Sequence, residues 1–168
     1  MTRDEPKESI LRRYLADAVA AEQSSAERME EMSGEGDHLA ARQLFAQHQD
    51  QTRTQIERLR ARLDALGGSP SDLKAVVAHL IALVPKMVHK GHDESEISTQ
   101  NLILAYALEN EEVAMYEALA AIAAAAGDLQ TEQLAREIQK EERHAAEMIW
   151  NLIANSARES YGKISLAA

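Results

Sequence analysis

The chain contains no cysteine. That absence excludes a disulfide framework, a thiolate zinc or rubredoxin-type iron site, an iron–sulfur cluster and a thiol nucleophile, and it leaves the redox compartment unspecified. Glycine and proline are scarce, seven and three in 168 residues, so the chain has few places to turn and long uninterrupted segments between them. Aromatic residues make up only 4%, and no stretch alternates apolar with polar residues as a half-buried strand would. Positive charge is also short: 18 Lys and Arg stand against 28 Asp and Glu, a net charge of −10. A surface of that sign lacks the basic footprint that phosphate backbones require, so neither nucleic acid nor an anionic membrane is an expected partner. No window approaches the roughly 20 apolar residues of a membrane span, and the first residues lack the apolar core of a signal peptide, so a cytoplasmic protein is expected. What the chain does have is 45% hydrophobic residues over the length of one domain, 1–168. That supplies a core without disulfides or an obligatory metal as staples.

The apolar residues recur at the helical period. From about Glu8 to Met32, Leu11, Leu15, Ala18, Ala26 and Met29 fall at steps of three and four, which predicts a first helix ended by Ser33-Gly34-Glu35-Gly36. Asp37 offers an N-cap for a second, running to about Leu66 with Leu44, Phe45, Ile56, Leu59 and Leu63 on one stripe before Gly67-Gly68. Ser69-Pro70 opens a shorter apolar segment, Leu73 to Val84, closed by Pro85 and Gly91, whose length suits a crossover. Asp93-Glu94-Ser95-Glu96 reads as a capping box for a third long helix through Leu104, Leu108, Met115, Leu119 and Ile122 to Gly127. Asp128 caps a fourth, with Leu134, Ile138, Ala145, Met148, Leu152 and Ile153. Residues 1–7 and 156–168 are expected to be loose termini. The fold class is therefore all-α: four long helices with a short helix in the long connection between the second and third.

Several polar residues occupy places where the stripes call for apolar ones, and burying an unpaired carboxylate costs several kcal/mol. Glu22 lies four residues from both Ala18 and Ala26; His48 follows Phe45 by three, with Thr52 and Gln55 continuing its face. Glu109 and Glu112 stand between Ala105 and Tyr116, and Glu141 stands between Ile138 and Ala145, with His144 three residues on. Helices joined by a short turn run antiparallel. Reflection about residue 35 carries position 22 onto His48, and reflection about the 127–128 turn carries Glu112 and Glu109 onto positions 143 and 146, bracketing His144. At ~1.5 Å per residue both half-sites sit about 20–25 Å from their turns, near the middle of the bundle. Four carboxylates and two imidazoles in one interior suit a pair of iron or manganese ions, with carboxylates bridging two hard cations and imidazoles capping them. Each motif alone is weak, and the matching of levels is what raises it.

At these residues the chain resembles the ferritin-like superfamily, and more narrowly the YciE/YciF-type family of bacterial stress-associated proteins. The resemblance rests on Ala-Ala-Glu22-Gln, on Phe45-Ala-Gln-His48-Gln-Asp-Gln-Thr52 continuing into Gln55-Ile-Glu-Arg-Leu, on Leu108-Glu109-Asn-Glu-Glu112-Val-Ala-Met-Tyr116, and on Glu141-Glu142-Arg-His144. It implies a ferritin-like four-helix bundle in which Glu22, His48, Glu109, Glu112, Glu141 and His144 are metal ligands. Gln51 stands where that family tends to carry Glu, and Glu142 is a rival to Glu141 because both flank the stripe by half a step. Tyr116, four residues after Glu112, is either a packed core tyrosine or a hydrogen-bond partner of a ligand. His79, His89 and His92 are read as structural or solvated.

Two functions compete. One is a di-metal carboxylate oxidase that oxidises iron with O₂ or peroxide as acceptor during stress. The other is a helical stress or scaffold protein with a degenerate site, which Gln51 supports. With Trp150 and a few Tyr as its large anchors, the chain is expected to form a homodimer rather than a cage.

Overall fold

The computed structural model describes residues 7–68 and 91–167. Four long helices account for almost all of them: α1 (Lys7–Gly34), α2 (Leu39–Ala65), α3 (Ile97–Ala126) and α4 (Leu129–Ala167), with a single 3-10 turn, Glu94–Glu96, leading into α3. The short helix expected over 73–84, and with it His79 and His89, lies outside the described residues. His92 is exposed and sits 3.4 Å from Glu96.

Cross-helix contacts give the direction of each helix. Asn101 donates to Glu35 and Tyr116 to Glu22, so α3 runs antiparallel to α1. Arg62 meets Asp128 and Gln55 meets Glu142, so α4 runs antiparallel to α2. Because α1 and α2 form one hairpin and α3 and α4 another, α2 and α3 are parallel. The end of α2 and the start of α3 therefore lie at opposite ends of the bundle, the arrangement of a four-helix bundle with one long crossover. Among the described residues no helix is long and apolar enough to cross a membrane.

The helix ends follow the turn chemistry with two corrections. Gly127 takes φ 76°, and Asp128 N–H bonds back to the Ala123 carbonyl, satisfying the last carbonyls of α3. Asp128 then caps α4 through Thr131 N–H at 3.1 Å, and Asp93 and Glu96 form the expected capping box. At α2 the cap is His38 and not Asp37: His38 Nδ1 accepts from Ala41 N–H at 3.2 Å, while Asp37 turns outward to Lys163. Residues 156–167 form no loose tail. Ser156 and Ser160 are buried, and their hydroxyls lie 2.8 and 3.2 Å from that of Thr99, so α4 stays docked on α3 as far as Ser160 and continues as an exposed helix beyond it.

Two apolar clusters fill the bundle. One gathers Leu11, Leu15, Val19, Leu59, Leu63, Leu119 and Ile138; the other gathers Met29, Met32, Phe45, Leu102, Ala105 and Ile149. Each buried Leu or Phe contributes about 1.5–3 kcal/mol of transfer free energy. Between the clusters lies a belt of buried polar side chains, and that belt is where the interior departs from an ordinary helical core.

Candidate metal centre

Every helix contributes to the belt. Glu22 and Ser25 come from α1; His48, Thr52 and Gln55 from α2; Glu109, Glu112 and Tyr116 from α3; Glu142 from α4, and all are buried. The helical period explains the placement. Glu22 and Ser25 share a face at i,i+3, as do His48, Thr52 and Gln55 at steps of four and three, and Glu109, Glu112 and Tyr116 in the same way.

The contacts within the belt are few for so many polar atoms. His48 Nε2 lies 3.0 Å from Glu109 and 3.5 Å from Glu142. Tyr116 donates its hydroxyl proton to Glu22. Gln55 Nε2 donates to Glu142 at 2.5 Å and to Glu141 at 2.9 Å. Among the described residues, ten buried side-chain N and O atoms lack a properly directed hydrogen bond, and all ten belong to this belt: they include both nitrogens of His48, both carboxylate oxygens of Glu109 and one oxygen each of Glu22, Glu112 and Glu142. A buried polar atom without a partner costs about 1–3 kcal/mol, so such a concentration marks a place built for something besides stability. One ligand atom from each of His48, Glu109 and Glu142 lies within 4.8 Å of the others, a spacing one cation could bridge. Glu22 and Glu112 add two more carboxylates, enough oxygen donors for two hard cations. The donor set fits metal ions of that kind.

Proton affinities follow from the crowding. Burial raises Glu109 to about 7 and Glu142 to about 9, with the adjoining Glu109 carboxyl as the second cause for Glu142. Burial also raises Glu22 and Glu112, each pushed further by neighbouring carboxylates, and the Tyr116 hydroxyl partly offsets the rise at Glu22. Tyr116 itself is raised by burial and by the Glu22 carboxylate. Without a cation the belt holds protons at neutral pH; a cation would displace them.

Four of the six expected ligands, Glu22, His48, Glu109 and Glu112, stand in the belt. The other two do not. Glu141 points into the seam between α2 and α4, where Arg58 holds it at 2.8 and 3.1 Å, and Glu142 occupies the interior position instead. His144 is exposed, two residues beyond Glu142 and so on the far side of α4 from it. Gln51 is half-buried at the edge of the same seam. Ser25 and Arg58 were not singled out from the sequence. The signal for each was positional: Ser25 is three residues after Glu22, and Arg58 three after Gln55.

Solved structures share the fold. A protein from Xanthomonas campestris pv. campestris superposes with a TM-score of 0.78 at 23% identity, covering 96% of this chain and 99% of its own. YcfI from Rhodopseudomonas palustris gives 0.69 at 22% identity, covering 89% and 96%. The stress protein YciF from E. coli gives 0.78 at 20% identity, covering 92% and 99%. No curated protein matches the chain. A family model, that of the domain of unknown function DUF892, matches residues 7–161. That match and the YciF-like architecture agree with the resemblance carried by the helix motifs, and the chain belongs to the DUF892 family.

Proposed function

We propose that the belt holds a pair of hard divalent cations, iron or manganese, and that the protein oxidises iron or consumes peroxide or O₂ in stress protection. The observation that carries this reading is the collection, at one level of the bundle, of ten buried polar atoms that lack a directed hydrogen bond among the described residues. Bound metal would supply the redox chemistry and the binding of the oxidant. The chain's own residues hold and shape the place. Glu22, Glu109, Glu112 and Glu142 offer carboxylate oxygens and His48 an imidazole nitrogen, while Tyr116 steadies Glu22 and Gln55 steadies Glu142. The apolar clusters above and below keep water and stray acceptors away. The role in stress is taken from the description of YciF, whose fold this chain shares.

A second reading is a non-catalytic stress or scaffold protein with a degenerate site. It is favoured by the single imidazole that the described residues place in the belt and by Gln51, which supplies no carboxylate. Anaerobic Fe²⁺ titration with metal analysis decides between them. Close to two ions per chain, with fewer in Glu112→Gln, is the expected outcome. One ion or none after reconstitution overturns the di-metal reading in favour of the scaffold.

A further inference from the structure

A cation bound in the belt has to cross a wall of packed helices, and the α2–α4 seam is closed along much of its length. Arg62 ties α2 to Asp128, Gln130 and Thr131; Arg58 ties it to Glu137 and Glu141; Gln55 reaches Glu141 and Glu142. Past Gln55 the seam opens into a pocket of about 60 Å³ lined by Phe45, His48, Gln51, His144, Met148 and Ile149. That volume exceeds the 10–15 Å³ or so that a single water needs.

His48 belongs to both places. It lines the pocket, its Nε2 lies against Glu109 and Glu142, and its Nδ1, on the other side of the ring, is buried without a hydrogen-bond partner among the described residues. The carboxylates of Glu22, Glu109 and Glu142 lie behind it and do not line the pocket. The rim of the pocket carries side chains suited to a partly hydrated cation: the exposed imidazole of His144 and the amide of Gln51. The net charge of −10 raises the concentration of cations near the surface. On α4, Ala145 and Ile149 continue the interior stripe of Glu142 and form the floor, while His144 and Met148 continue the stripe of Glu141 and form the rim.

We propose that this pocket is the opening through which a divalent cation reaches the buried carboxylates, and that His144 is the group that first receives it. The proposal rests on the metal-binding reading above and assigns His144 a role in transfer, outside the final ligand set. A residue in an opening changes how fast ions arrive and leave, and leaves unchanged how many are held at equilibrium.

The test is stopped-flow uptake of Co²⁺ followed by its visible absorption, with release measured by a chelator chase, in the parent, His144→Ala and His144→Lys. Residue 144 is exposed, so both variants should fold, and far-ultraviolet circular dichroism checks that they do. Uptake and release at least threefold slower in His144→Ala, and at least tenfold slower in His144→Lys, with the number of ions bound unchanged, is the expected result. Parental rates in both variants overturn the proposal. So does the loss of a bound ion in His144→Ala, since His144 would then be a ligand. A parent that takes up no Co²⁺ overturns the metal-binding reading and this one with it, whereas a parent that binds Co²⁺ at rates insensitive to residue 144 overturns this one alone.

Discussion

Removing one interior carboxyl that must hold its proton should stabilise the metal-free protein, and Glu142→Gln is the substitution that shows it. The Glu142 carboxyl is raised from 4.5 to about 9, chiefly by burial. The folded protein therefore keeps a proton that the unfolded chain releases above pH 4.5, and folding stability falls as pH rises between these two values. At about 1.4 kcal/mol per pH unit, the cost accumulated by pH 7 is about 3 kcal/mol. Glutamine has nearly the same shape, keeps an oxygen for the Gln55 amide and has no proton to lose. The variant should thus gain about 3 kcal/mol at pH 7, which for a chain of this length is about 6–12 °C in Tm. The gain should vanish near pH 4, where the carboxyl is protonated in both states, and grow towards pH 9. Urea unfolding in EDTA at several pH values measures it. Excess Mn²⁺ should close most of that gap, because a ligand at 100 times its Kd adds about 2.7 kcal/mol per site to the parent and less to a variant lacking one donor. Parallel pH–stability curves for parent and Glu142→Gln would refute the claim that a carboxyl is held out of water at this position.

Three further variants test the α1–α2 turn and the surroundings of the site. Gly36 sits at φ 70°, and a Cβ there would lie 2.2 Å from Ser98 Oγ and 3.0 Å from Ser98 N, so Gly36→Ala should cost about 1–3 kcal/mol in chemical denaturation. Gly34→Ala, with nothing within 4 Å of the added carbon, should not be destabilised. Glu141→Ala breaks a half-exposed pair with Arg58 and should cost no more than about 1 kcal/mol while leaving metal content unchanged. Lost metal in that variant would return Glu141 to the ligand set.

The helices were legible because punctuation is local. Gly34-Glu35-Gly36, Gly67-Gly68 and Gly127-Asp128 end and begin helices through backbone geometry that a few neighbouring residues decide. The levels were legible for a similar reason: a tight turn makes the rise per residue an index of height, which set Glu22 opposite His48 and both near Glu109 and Glu112. Rotation about the helix axis was not. Glu141 and Glu142 differ by 100° around α4, both lie within reach of an apolar stripe, and periodicity alone does not choose between them. The choice fell to α2, where Arg58 draws Glu141 into the seam and Gln55 meets Glu142 inside, and the same rotation carried His144 out to the surface. The far end of α4 was decided in the same way. Ser156 and Ser160 read as a polar tail until Thr99 of α3 supplies the partner that makes their burial affordable. Sequence by itself determined which residues share a helix and at what height they stand; which of two adjacent acids faces the interior depended on the partner that each neighbouring helix offered, and only packing brings those partners together.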